Sequence, residues 1–191
     1  MSTLDYNDLR IGTAFIFEGQ PWEILEFAFV RMQQRKAVAQ VKMKNLISGK
    51  VVSRSFHQNE TFDEADISRE SVKFLYHHKG QYWFSQPNNP KGRFFLTDDV
   101  VGSAGEFLKP DTEVTAIKFQ DKTINIKPPI KVDLIVKEAP PAFRGDTAQG
   151  GSKPVVLETG AKINTPMFIE EGDVVRVNTE TGQYVERVKI Y

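Results

Sequence analysis

Hydrophobic residues along this chain come in short runs, many with a period of two, and turn residues separate them. Phe15–Phe17 is followed by the turn Glu18-Gly19-Gln20-Pro21 and then by a second apolar run, Trp22–Val30. Gly-x-Pro between two aromatic-rich runs is hairpin chemistry. From Ala37 to Met43 the residues Ala37, Ala39, Val41 and Met43 alternate with Val38, Gln40 and Lys42, which predicts a strand with one wet face. Ser48-Gly49 turns the chain into Val51–Phe56. Residues 1–64 therefore read as a small, strongly bent β-barrel.

A second set of runs begins near Ile67, with Lys79-Gly80 separating Val72–Tyr76 from Tyr82–Ser85 as another hairpin. Thr97 or Asp98 is placed to cap a short helix that carries Val101, Ala104, Phe107 and Leu108 at helical spacing and ends at Pro110. Gly102 and Gly105 weaken that helix by about 1 kcal/mol each relative to Ala. Val114–Phe119, the turn Gln120-Asp121-Lys122 and Thr123–Ile126 complete the block. Pro128-Pro129 marks a boundary, because neither residue has an N–H to give to a ladder. A third block contains Val132–Val136, Val155–Leu157, Val174–Val177 and Tyr184–Ile190, with the turn Thr179-Glu180-Thr181-Gly182 between the last two runs. Short strands at close spacing predict small barrels of the five-stranded OB type. The expected architecture is all-β in three small barrels, with domains at residues 1–64, 65–127 and 128–191.

Composition narrows the class. Of the 191 residues, 25 are basic and 25 acidic, so a uniformly basic nucleic-acid binder is excluded while local patches remain open. There is no cysteine, which removes disulfides, thiolate metal sites and cysteine catalysis. Met1–Arg10 is polar and carries two acids, unlike a signal peptide. No apolar run approaches the roughly 20 residues that span a bilayer. These features point to a soluble, cytoplasmic protein with no membrane partner.

No constellation of residues marks an enzyme, and no cofactor or metal is expected. The histidines are His57, His77 and His78; the last two are neighbours on a strand and so face opposite ways. Gly102-Ser103-Ala104-Gly105 is too short for a phosphate loop. Asp98-Asp99 suits a helix N-terminus, and Glu170-Glu171 a solvated turn.

The charge distribution says more. Arg31, Arg35, Lys36, Lys42, Lys44, Lys50 and Arg54 fall within a stretch that contains no acid. On a strand, Gln40, Lys42 and Lys44 share a face, so Lys42 and Lys44, with Arg54, are candidates for a phosphate-contacting stripe whose binding would fall with salt. Arg31-Met32-Gln33-Gln34-Arg35-Lys36 joins two strands as a long, polar, cationic tip with almost nothing to bury. Loops held on rigid barrels are where binding residues usually sit. Tyr76, Tyr82, Trp83 and Phe84 form the one dense aromatic cluster, read as barrel wall.

The chain resembles elongation factor P over essentially its whole length. The family's last domain carries T-G-x-x-[IV]-x-V-P-x-F-[IV]-x-x-G-D-x-[IV]-x-V-x-T-x-T-G-x-Y-x-x-R. Residues Thr159–Arg187 read TGAKINTPMFIEEGDVVRVNTETGQYVER and depart from it at Thr165, where valine is usual. Asp8–Thr13 fits the leading D-L-R-x-G-x, and the segment from Ala37 fits A-x-x-x-x-K-x-K-N-L. The family's loop K-P-G-K-G-x-A falls on Arg31–Ala37. Met32-Gln33 replaces Pro-Gly, and Gln34 replaces the lysine that is often extended after translation. The family's G-R-G-D-T loop near messenger RNA falls on Phe143 to Thr147, with Arg144, Gly145, Asp146 and Thr147 retained.

The resemblance implies an L-shaped monomer, an SH3-like (KOW-like) barrel followed by two OB barrels, that is not itself an enzyme. Its implied partners are the 70S ribosome, peptidyl-tRNA and messenger RNA near the exit site. It would sit between the peptidyl and exit sites and stimulate peptide-bond formation at proline-rich sequences, with the 31–36 tip directed at the peptidyl-transferase centre. Within translation, an elongation-factor-P-like paralogue with other targets is an alternative. A shorter two-domain hypusine-carrying relative fits less well, because the third domain is complete. Outside translation, the alternative is a generic OB-fold binder of single strands.

Overall fold

The computed structural model describes residues 2–30, 38–87, 89–141 and 151–189. The 31–36 tip with Ala37, the 143–147 loop and Ile190 lie outside them. The described residues are β-rich, as expected, and contain one short α-helix.

In the first 64 residues the chain forms β1 (Thr3–Asp5), β2 (Ala14–Phe17), β3 (Gln20–Val30), β4 (Val38–Asn45), β5 (Val51–His57) and β6 (Thr61–Asp63). β2 to β5 make a four-stranded antiparallel meander, and β1 pairs with β6. The turn between β2 and β3 places Glu18 and Gly19 at φ 51° and 74°, the left-handed region that glycine enters without penalty. The buried faces converge on Leu9, Phe15, Ile24, Met43 and Phe56, each at most 2% exposed. Phe15, Phe56 and Phe62 meet edge to face, with ring centroids 4.6–6.0 Å apart, a geometry worth about 0.5–1.5 kcal/mol per pair beyond area burial.

Then follow β7 (Ile67–His78), β8 (Gln81–Gln86), β9 (Asn89–Thr97), α1 (Asp98–Val101), a 3-10 segment (Gly102–Phe107), β10 (Glu113–Phe119) and β11 (Lys122–Lys127). Their sheet runs in the order β11-β10-β7-β8-β9. The helix expected from Thr97 to Leu108 is one α turn followed by 3-10 winding. Gly102, at φ 65°, ends the α-helical path, and Thr97 makes no side-chain capping bond. Gly105 sits tightly enough that a Cβ there would lie 2.6 Å from the Tyr82 ring.

The last sheet comprises β12 (Lys131–Glu138), β13 (Ser152–Leu157), β14 (Lys162–Pro166), β15 (Val174–Asn178) and β16 (Gln183–Val188), in the order β14-β13-β12-β15-β16. Its core is Leu134, Val136, Val155, Leu157, Ile169, Val175 and Val177, joined by Phe107 from the 3-10 segment. By internal contacts the chain divides into two compact units, residues 1–70 with 115–126 and residues 71–114 with 127–191.

Candidate nucleic-acid interface

β3 and β4 form the hairpin whose tip is residues 31–37; Val30 pairs with Val38 at its base. Strand alternation on β4 buries Ala39, Val41, Met43 and Asn45 and exposes Gln40, Lys42 and Lys44. The two predicted lysines are thus brought onto one wet face. Buried Asn45 fixes the end of the strand. Its Oδ1 accepts hydrogen bonds from the Ile47 and Ser48 amides at 2.9 and 2.8 Å, and its Nδ2 donates to Gln20 Oε1. The buried-face pattern therefore sets the direction in which the lysines point.

Acids from the neighbouring strand meet these lysines. Glu26 stands opposite Lys42 and Glu23 opposite Lys44. Lys42 Nζ lies 2.8 Å from Glu26 Oε1, and Glu23 accepts a hydrogen bond from Arg69 at 3.1 Å. Such exposed pairs are worth about 0–1 kcal/mol, so they can exchange for a phosphate at little cost. Arg54 does not join the lysines. It is paired with Val41, on the opposite parity, and its guanidinium lies over the Phe17 ring, 5.9 Å from the centroid. A stripe read along the sequence is thus divided between two faces.

Of the histidines, His77 Nε2 lies 2.8 Å from Asp98 Oδ1, with its ring 4.2 Å from that of Tyr82. Burial, then the Asp98 and Glu106 carboxylates, push the Tyr82 hydroxyl above its usual value. Among the described residues no group of three His, Asp or Glu side chains is placed to hold a metal ion, and no helix is long and apolar enough to cross a membrane.

The segment containing Arg144, Gly145, Asp146 and Thr147 leaves from β12 and returns to β13. Lys153 anchors its approach: the side chain is buried, and its Nζ donates to the Pro140 carbonyl at 2.9 Å. The sequence reading missed this lysine. A basic residue inside the alternating run Lys153-Pro154-Val155 was the available signal. Buried Thr165 donates from Oγ1 to the Lys153 carbonyl at 3.4 Å, so the hydroxyl found where valine is usual has a partner.

The aromatic cluster is split by strand parity. Tyr82 and Phe84 are buried, whereas Tyr76 is 43% exposed and Trp83 lies half-buried on the outer face. Phe95, which the sequence reading did not single out, extends that outer row.

The chain is similar to "Eukaryotic translation initiation factor 5A from Methanococcus jannaschii", with a TM-score of 0.53 at 16% identity over 66% of this chain and 92% of that one. This is a likeness of fold. Family models described as "Elongation factor P (EF-P) KOW-like domain" and "Elongation factor P, C-terminal" match residues 5–62 and 132–187. Elongation factor P of Syntrophus aciditrophicus is 42% identical over 96% of this chain and 97% of its own length. That of Desulfatibacillum aliphaticivorans is 36% identical over 97% and 99%. The fold class is thus all-β, built of barrel-like sheets. Within it, the chain belongs to the elongation factor P family of translation elongation factors.

Proposed function

We propose that this protein binds the ribosome between the peptidyl and exit sites as a monomer in the cytoplasm. There it accelerates peptide-bond formation at proline-rich sequences without being an enzyme itself. Its partners are the 70S ribosome, peptidyl-tRNA and messenger RNA near the exit site. Three barrels, at residues 1–64, 65–127 and 128–191, form the scaffold. The observation that supports this reading is the match to elongation factor P relatives over 96–97% of the chain.

Proline is a poor reactant because its φ is fixed and its nitrogen is secondary. Holding the end of the peptidyl-tRNA in attack geometry removes an entropic part of the barrier, and this needs contacts rather than proton transfer. Arg35 and Lys36 at the tip supply contacts to phosphate or ribose, Lys42 and Lys44 contact phosphates lower on the hairpin, and Arg144 to Thr147 lie along the messenger.

Replacing both Arg35 and Lys36 with Ala tests this. In a reconstituted system the double variant should remain ribosome-bound and folded but lose the acceleration of Pro-Pro bond formation. Relief of Pro-Pro stalling at the wild-type rate would remove the tip as the effector.

A further inference from the structure

We infer that the outer face of β7, β8 and β9 is a stacking platform for the unpaired bases of single-stranded RNA. It stands on this face alone and does not rest on the ribosomal reading. Tyr76, Trp83 and Phe95 are directly paired across the three strands. Their rings form a continuous row, with centroids 6.1 Å apart from Tyr76 to Trp83 and 5.2 Å apart from Trp83 to Phe95, and interplanar angles of 24° and 41°. The two end rings are 43% and 45% exposed. Adjacent strands lie about 4.8 Å apart, so the row presents three π-faces along a line that an extended strand of bases can follow.

The rows on either side determine the occupant. Two residues along β8 and β9, roughly 7 Å away, and three along β7 across the bulge between Phe74 and Tyr76, the paired positions are Lys73, Ser85 and Arg93; on the other side they are His78, Gln81 and Thr97. None of these positions is acidic. Ser85 is small and buried, so the cations Lys73 and Arg93 flank a low saddle beside the rings. A flat apolar row edged by cations matches a ligand with planar bases and an anionic backbone. Base–aromatic stacking of this kind is largely indifferent to sequence. A duplex hides its base faces, so single strands are favoured. An apolar protein partner would not need the flanking cations.

The probe is a short labelled oligouridine added to the full-length protein, followed by anisotropy and tryptophan fluorescence. The chain has two tryptophans, and Trp22 is buried at 7% exposure, so quenching reports on Trp83. The single strand should bind and quench, and an RNA duplex should do so far less. Tyr76→Ala and Phe95→Ala should each weaken binding about tenfold, the loss of one stacked base. Tyr76→Leu and Phe95→Leu keep apolar area but remove the π-face, and should fall with the alanine variants. Lys73→Ala should lower the salt slope by about 0.7, one phosphate on a single strand. Circular dichroism checks each variant's fold. Ultraviolet cross-links from the oligonucleotide to the wild-type protein should map to Tyr76, Trp83 or Phe95, which keeps the test valid if a variant misfolds. Absence of quenching, cross-links confined to other segments, or leucine variants that bind like wild type would each overturn the assignment. The last result would indicate a site for an apolar protein surface instead.

Discussion

The wet face of β3–β4 and the outer face of β7–β8–β9 are built by the same rule of strand alternation, yet they are chemically opposite. On the first, each exposed lysine of β4 meets a glutamate of β3, as in Lys42 with Glu26. On the second, an aromatic on each strand meets an aromatic on the next, and the row beside them on one side carries the cations Lys73 and Arg93. Charge counted along one strand overstates the first face and misses the second. A face is assembled from several strands, and its chemistry is a property of the register.

The largest effect that can break this comparison lies within β8 itself. Phe84 is 0% exposed and Trp83, its neighbour, points the other way. Phe84→Ala should cost about 3–5 kcal/mol, the range for removing a buried aromatic side chain. Trp83→Ala should cost about 1 kcal/mol, because it opens no internal cavity. Urea unfolding followed by circular dichroism measures both, and equal losses would place both rings in the core.

A smaller effect sharpens the contrast between the faces. Reversing Lys42 and Lys44 to Glu should flatten the salt dependence of ribosome binding by about 0.7–0.9 in log–log slope for each phosphate that is no longer neutralised. Glu26→Gln, which releases Lys42 from its partner, should steepen it slightly. An unchanged slope in the double variant would move the phosphate-binding surface elsewhere.

The smallest effect concerns a charge-paired face on the last sheet, where Asp133, Arg176 and Glu186 face one another across β12, β15 and β16. Arg176 donates to Asp133 at 2.7 and 2.9 Å and to Glu186 at 2.6 Å. The hydrogen bonds from Arg176 outweigh burial and hold the Asp133 carboxyl below its ordinary 3.8. A carboxyl depressed in the folded state contributes stability that is present above about pH 3.8 and lost as the pH falls through the folded value. Asp133→Asn should therefore be slightly less stable than wild type near neutrality and converge with it in acid. Thermal melts from pH 7 downward check this. The Trp83 variant, whose row contains no carboxyl, should keep a constant offset from wild type over the same range.

Much of the fold was legible in the sequence where alternation was long and one-sided. Ala39, Val41 and Met43 against Gln40, Lys42 and Lys44 defined β4, its buried face and its exposed lysines. β1 and β6 escaped because three residues are too few to establish a period. β9 begins with Asn89-Pro90-Lys91-Gly92, which reads as loop chemistry, and with it Phe95 was lost from the aromatic row. The partition of Tyr82 and Phe84 from Trp83 was available from parity alone. The partners of Lys42 and Lys44 were not: Glu26 and Glu23 lie on another strand, and only the bulge between Ile24 and Glu26 fixes which acid meets which lysine.

Phe107 introduces an order in time. It belongs to the core cluster of the last sheet, which includes Val175 and Val177 of β15, and it lies against Gly182, where a Cβ would sit 3.4 Å from the ring. Synthesis runs from the N-terminus at about 5–20 residues per second, so Phe107 emerges well before the strands that enclose it. Its seat is complete only when β15 and the turn to β16 have been made. Throughout that interval an aromatic side chain from the 3-10 segment waits without its cover. The final strands to be translated thus also close the core around a residue made some 70 positions earlier.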